Sequence, residues 1–524
     1  MKKLANLRKV LLSLFVLAVC VANLFLAGND RNSAAVVAAA SGKSSGGSLK
    51  IAIIAAPFTL FMPKSTSTIN NQATMPALEP LGRLNAKGVY EPWLAESFKV
   101  DPEKLTFTVK LRPGVVFHDG SKLTAEVVKW NFEQMIKNGK ASELCNPKSF
   151  EVVDDLTLVI HFSEWSNNWQ DVISEVQIES KEAYEKHGED WCAINPVGTG
   201  PFVLKDYIQG SKLIFKRFDK YRIKGQPYLD TLEIDIITDL NTQITAFQNK
   251  EIDCVMTNDA VAIQSLERAG FKNTAKKSPN LADIYYFLFN SKDPANPFSK
   301  LKVRQAVMHS LDYPNIAKVL TGGLGIATNQ FGIKGAYSYD PSVKFYNYNL
   351  KKAKALLKEA GYPNGFDTTI YTRSEIQDSA VPLQASLKAI GIRATIKVLD
   401  GALLDKMQVA DSIPGIVMGK GASQLDFTKN YIRLYSSQGI KNHGLIAYPP
   451  DYEKALFGAR AAKTFAEKKT LLQTASKKLV EEYALLVPTG VAFYKCYTQD
   501  YVRDLGIYQV SIHAWTPERA RVTK

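Results

Sequence analysis

Apolar and polar positions along this chain fall into short runs with two different periods. Residues 105–111 alternate Leu-Thr-Phe-Thr-Val-Lys-Leu, which predicts a strand with one buried face. Residues 49–54 and 232–237 also predict strands. Two apolar runs within residues 152–160 are broken by Asp154 and Asp155, which predicts a hairpin turning at the aspartates. Residues 124–136 change to helical spacing, with Thr124 placed as the N-cap. Beyond residue 300 helical periods become more frequent. Val303, Ala306, Val307 and Ser310 share one face. Asn349 caps a helix whose apolar face is Ala353, Leu356, Leu357 and Ala360, and Gly361 ends it. Leu383, Leu387 and Ile390 form a further stripe closed by Gly391, followed by a strand at 393–398. A long helical region is predicted from 452 to about 486. Strands interleaved with helices predict an α/β protein with two lobes.

The first residues follow neither period. Lys2, Lys3, Arg8 and Lys9 precede an almost wholly apolar run from 10 to 27, and Ala38-Ala39-Ala40 then offers a small-residue cleavage pattern. This predicts a secretory signal peptide over 1–40 and a Ser/Gly linker over 41–48. A retained anchor is the alternative, because the apolar run could span a bilayer. Leu17-Ala18-Val19-Cys20 fits a lipoprotein cleavage box poorly, since valine precedes the cysteine.

At 524 residues the chain is long for one core, which favours two or more domains. Loss of the leader would remove five bases and one acid and lower the formal charge from +14 to +10. The remaining bases are dispersed, so a solvated basic surface rather than a nucleic-acid stripe is predicted; attraction to an anionic ligand or membrane surface is the alternative. Cys145, Cys192, Cys254 and Cys496 remain, an even number that permits disulfides outside the cytoplasm. No C-x-x-C pair exists, which argues against zinc held by such pairs. Cys145 and Cys192, both before residue 200, are the better candidate pair, although four cysteines allow three pairings.

The most specific segment is Asn195-Pro196-Val197-Gly198-Thr199-Gly200-Pro201-Phe202. Its prolines restrict φ and its glycines permit positive φ, so a rigid turn is expected ahead of a strand. It lacks the lysine and hydroxyl of a phosphate loop. The turn resembles a segment of the family 5 extracellular solute-binding proteins, the peptide/nickel-type substrate-binding subunits of ABC importers. Other collinear segments share the resemblance: Pro92 to Phe98, Leu105 to Gly120, Leu123 to Val128, Tyr221 with Pro227-Tyr228-Leu229-Asp230, Lys250 to Asp253, Val303 to Val307, and Ala353 to Tyr362. Together they span roughly residues 48 to 500.

The resemblance implies a two-lobed periplasmic-binding-protein-like fold of type II, in the large cluster with an extra subdomain, with mixed sheets flanked by helices and two hinge crossings. The first crossing is expected near Tyr285 to Asn290 and the second near Val487 to Tyr494. Lobe I would cover 49–287 with a subdomain inserted at about 91–195, lobe II 288–488, and residues 489–524 would return to lobe I. The implied function is capture of a small peptide-like or anionic solute outside the cytoplasmic membrane and delivery to ABC permease subunits. A monomer without cofactor, metal or nucleic-acid partner is expected. An exported hydrolase, or a sensor or chaperone of the same fold, is the alternative.

Catalytic patterns are sparse. None of the six histidines falls in an H-x-x-x-H or HExxH arrangement, no G-x-S-x-G elbow occurs, and adjacent His118 and Asp119 read as structural. Candidate ligand contacts are therefore taken from aromatic and charged positions. Tyr285 and Tyr286 fall at the expected hinge, and Tyr337 and Tyr339 in a loop. The resemblance implies a lobe II cation for a ligand carboxylate, and Arg373 stands at about that place. In a gapless register Lys420 replaces the tryptophan of peptide-binding members and Ser423 the aspartate that holds the ligand ammonium, with Asp426 able to take that role. Lys420 would favour an anion, and neutral Ser423 cannot offset burial of an ammonium, so acidic, blocked or modified solutes become candidates. His443 is the one histidine considered for a nickel chelate.

Overall fold

The computed structural model describes residues 46–523, apart from 66–67, 85–89, 170–171, 173–175, 275–281, 411–412, 440–441, 443–444, 507–514 and 516. The expected leader and His443 lie outside the described residues.

Two six-stranded mixed sheets organise the chain. The first runs Phe202–Ile208, Lys212–Arg217, Thr231–Ile236, Ser48–Ile53, Cys254–Thr257 and Lys495–Thr498 in spatial order. Its middle is parallel, with Ser48↔Thr231 through Ile53↔Ile236 in register. The second runs Ile326–Ala327, Leu486–Phe493, Ala282–Phe289, Ile416–Ala422, Asp367–Arg373 and Arg393–Leu399. A separate four-stranded antiparallel sheet holds Ala95–Asp101, Thr106–Leu111, Thr157–Phe162 and Pro147–Asp154. Apolar clusters cover both faces of each six-stranded sheet. Ile284, Leu288 and Val417 pack on one face of the second sheet, and Phe287, Phe289 and Ile416 on the other. The alternation at 105–111 buries Phe107, Val109 and Leu111 against the helix Ala125–Lys137. The structure is therefore a two-lobed α/β architecture with mixed sheets, and the chain passes between its two main sheets twice. It leaves the first after Cys254–Thr257 and the helix Ala260–Arg268, and enters the second at Ala282–Phe289. It returns through Tyr494, the single residue between Leu486–Phe493 and Lys495–Thr498.

Local expectations are met by cap geometry. Thr124 accepts from the Val127 amide at 3.4 Å and Asn349 from the Lys352 amide at 2.9 Å. Gly361 and Gly391 adopt φ of +93° and +94° at helix ends, where a Cβ would be strained. The long helical region is instead two helices, Pro450–Ala461 and Phe465–Lys477, continued by a π turn at Lys478–Glu482. Ala462 is extended, and Thr464 starts the second helix by accepting from the Glu467 amide.

The rigid turn is built differently from expectation. Neither Gly198 nor Gly200 has positive φ. Each is required by close approach: a Cβ at Gly198 would lie 2.1 Å from the Ala77 carbonyl oxygen, and one at Gly200 2.6 Å from the Pro76 oxygen. The Gly200 amide donates to Ala77 O at 2.8 Å and the Phe202 amide to Pro76 O at 3.0 Å. Thr199 and Tyr221 donate to the buried Glu79 carboxylate at 2.8 Å each, and the Trp93 indole at 2.7 Å. Burial raises the pKa of Glu79, opposed by Arg222 and these hydrogen bonds. Segments far apart in sequence thus converge on one buried carboxyl group.

Candidate functional site

Charged side chains that follow the first crossing meet neutral polar groups that precede it in two clusters. The first lies where the crossing strands pass. Lys420, on strand Ile416–Ala422, pairs with Tyr285 across the ladder to Ala282–Phe289. Its ammonium is 3.2 Å from Asp283 Oδ2, donates to Asn258 Oδ1 at 3.2 Å, and sits 5.3 Å from the Tyr285 ring centroid. Asn258 follows strand Cys254–Thr257 of the first sheet, so this bond joins the two lobes. Asn258 Nδ2 and the Tyr494 hydroxyl both donate to Asp283 Oδ2 at 2.8 Å. A carboxylate, an amide oxygen and an aromatic face therefore surround one ammonium, a cation cage filled by the protein's own lysine.

The second cluster centres on Asp426. Its Oδ2 is 2.5 Å from the Lys468 ammonium, and its Oδ1 accepts from the Thr428 amide at 2.8 Å. Burial alone would raise its pKa, but Lys468 and the hydrogen bonds from Thr428 and Tyr337 hold it below the usual carboxylate range. Lys468 is buried and donates to Asn167 O at 2.9 Å and Asn168 Oδ1 at 3.3 Å. Beside it the Trp165 indole and the Asn167 amide group donate to Ala462 O at 3.1 and 2.9 Å, and the Asn167 backbone amide to Arg460 O at 2.7 Å. Residues 165–168 follow the third sheet's strand Thr157–Phe162, whereas 460–468 run from the end of helix Pro450–Ala461 into helix Phe465–Lys477.

Apart from Tyr339, whose carbonyl accepts from Gln473 at 2.6 Å, the sequence-predicted contact residues divide among these surroundings. Tyr285 and Lys420 share the first cluster, and Tyr337 and Asp426 the second. Tyr337 also packs edge-on to Phe465, with ring centroids 4.9 Å apart. Ser423 is buried between the clusters in sequence, its amide donating to Ala282 O at 2.8 Å. Tyr286 faces the other way, into the core with Phe331 and Tyr435. Gly419 leaves room for its ring: a Cβ there would lie 2.4 Å from Tyr286 Cζ. Arg373 ends strand Asp367–Arg373 and pairs with Asp405 on helix Gly401–Val409, both partners about two-fifths exposed. Cys145 and Cys192 pack in separate apolar clusters and form no disulfide. Sequence reasoning missed Asn258, Asp283, Asn167 and Lys468. Asn258 and Asp283 adjoin the first crossing, whereas no local pattern marks Asn167 or Lys468.

Among the described residues no group of three or more His, Cys, Asp or Glu is placed to hold a metal ion, and no helix is long and apolar enough to cross a membrane.

Comparison with known proteins gives three findings. Residues 89–442 match the model of bacterial extracellular solute-binding proteins, family 5 Middle. The glutathione-binding protein GsiB of Shigella flexneri serotype 5b is 31% identical over 324 residues, covering 59% of this chain and 61% of that protein. GsiB of Escherichia coli K12 is 31% identical over 320 residues, covering 59% and 60%. The chain thus aligns with about three-fifths of the length of these curated relatives. The crystal structure of the Listeria monocytogenes ABC transporter substrate-binding protein CtaP superposes with TM-score 0.81 at 22% identity, over 92% of this chain and 100% of that one. The periplasmic binding protein DppA of Helicobacter pylori, in complex with the peptide STSA, gives 0.77 at 25% identity, over 92% and 99%.

Proposed function

We propose that this chain, which belongs to family 5 of the bacterial extracellular solute-binding proteins, is the capture subunit of an ABC importer. It closes two lobes around a small peptide-like or anionic solute outside the cytoplasmic membrane and releases it, chemically unaltered, to membrane permease subunits. The observation that carries this reading is the pair of polar bridges between the lobes, Asn258 to Lys420 and Asn167 to Lys468. A ligand touching both sides stabilises the closed arrangement by its difference in affinity for the two states. The relatives named for glutathione, and the neighbour that holds a peptide, support a peptide-like solute.

The charge arrangement narrows the chemistry. Both cationic and anionic groups of the seam are already paired within the protein: Lys420 with Asp283, and Asp426 with Lys468. A ligand ammonium would have to displace one of these lysines from its carboxylate and leave a poorly solvated charge behind. Solutes that present carboxylates, carbonyls or blocked amines to this region are favoured. Arg373 contributes when it turns from Asp405 to a ligand carboxylate.

Native mass spectrometry of the mature protein from its own host tests the reading, because a retained solute identifies itself by mass. The expected result is a small peptide-like or acidic molecule recovered unchanged. Calorimetry with glutathione, N-acetylated dipeptides and free dipeptides then ranks the chemistry, with tighter binding expected for the first two. Turnover of any bound molecule would overturn the proposal in favour of an exported hydrolase.

A further inference from the structure

Cys254 and Cys496 are the two thiols of the described residues that meet. Their sulfurs are 3.4 Å apart, both side chains are buried, and their strands Cys254–Thr257 and Lys495–Thr498 are antiparallel neighbours. Register pairs Cys254 with Thr498 and Cys496 with Met256, so the cysteines are diagonal neighbours on one face of the first sheet. Lys495–Thr498 is the last strand of that sheet, so a small shift of one strand brings the sulfurs to bonding distance. It also begins directly after Tyr494, the residue through which the chain returns from the other lobe and which donates to Asp283.

We propose that Cys254 and Cys496 close to a structural disulfide that staples the second crossing to the first sheet. The reaction is thiol–disulfide exchange with a small or protein disulfide during folding outside the cytoplasm, before the pair is packed away. One cysteine thiolate attacks the oxidant disulfide, forming a mixed disulfide and releasing one thiolate. The second cysteine thiolate then attacks the protein sulfur of that intermediate and expels the other. Two protein thiols become one disulfide, the oxidant is reduced to two thiols, and the two protons pass to those thiols. Burial within the apolar cluster that includes Leu49 and Trp515 then shields the bond from reductants. Cys145 and Cys192 stay as thiols, each in its own apolar surroundings.

The test uses the full mature chain, denatured, reduced and refolded with bis(2-hydroxyethyl) disulfide as oxidant, then alkylated in denaturant and mapped by peptide mass spectrometry. The expected map shows one linked peptide pair carrying Cys254 and Cys496, with Cys145 and Cys192 alkylated. Reduction should lower the Tm by about 4 °C, and the C254S/C496S double variant should lose that shift. Alkylation of both Cys254 and Cys496 in the oxidised sample, or linkage of either to Cys145 or Cys192, overturns the proposal. The map requires no variant to fold. It is also independent of which solute the lobes hold.

Discussion

Two buried titratable groups show how single residues tie this protein to pH. His118 accepts from the Gly198 amide through Nδ1 at 3.4 Å and donates from Nε2 to Gly200 O at 3.0 Å. The neutral ring therefore clamps the turn, and burial lowers its pKa from 6.5 to about 4. Unfolding lets it gain a proton below 6.5, so its contribution is full above that pH and is lost as pH falls toward 4. Glu179 is the opposite case. Burial raises its pKa from 4.5 to about 8, although the Met62 amide donates to it at 2.6 Å. Its contribution is full below 4.5 and is lost as pH rises toward 8. Each slope is about 1.4 kcal/mol per pH unit, so the two oppose each other between 4.5 and 6.5, and only that of Glu179 acts from 6.5 to 8. Urea midpoints measured across pH should therefore fall from 6.5 to 8 in the wild type, and Glu179→Gln should flatten that limb. An unchanged limb would remove Glu179 as its source. Lys420→Ala belongs at the same scale. It should empty the cage of Asp283, Asn258 and Tyr285 and raise affinity for free-amine peptides at least tenfold by calorimetry. No gain would mean that ligand amines bind elsewhere.

At the scale of elements, the periods and caps foretold most helices and strands because those signals are local. The turn at 195–202 was foretold as rigid, but for the wrong reason. Its glycines answer to backbone at Pro76–Ala77, more than a hundred residues away, a contact that no local pattern encodes. Gly198→Ala should therefore cost about 3 kcal/mol or prevent folding, as measured by urea denaturation. Asn349→Ala should cost only about 1 kcal/mol, the loss of one cap. Equal costs would contradict the contact geometry. The break at Ala462 and Thr464 within the region expected to be helical also has a tertiary role. It frees Ala462 O to receive Trp165 and Asn167 from the segment after the four-stranded sheet.

For the whole molecule, Lys468 is the decisive side chain, since one ammonium neutralises Asp426 and reaches Asn167, 301 residues away in sequence. Lys468→Met should cost about 3 kcal/mol by leaving a buried carboxylate unpaired, and Asp426→Asn in the same chain should recover much of it. The double variant should still lack the bridge, so small-angle scattering of the ligand-free protein should report a larger radius of gyration. An unchanged radius would show that the bridge does not bias closure.

Strand and helix patterns, the α/β class and the two-lobed family were all accessible from the amino-acid order. Those properties depend on period, caps and collinear motifs, which are written in neighbouring residues. The pairings were not accessible. Which carboxylate neutralises Lys420, that Tyr286 turns into the core, and that Cys254 meets Cys496 rather than Cys145 meeting Cys192 depend on contacts between segments far apart in sequence. Strand pairing within each sheet and chain crossing between the sheets bring such segments together, and a side chain's charge and burial are set by whatever the fold places against it.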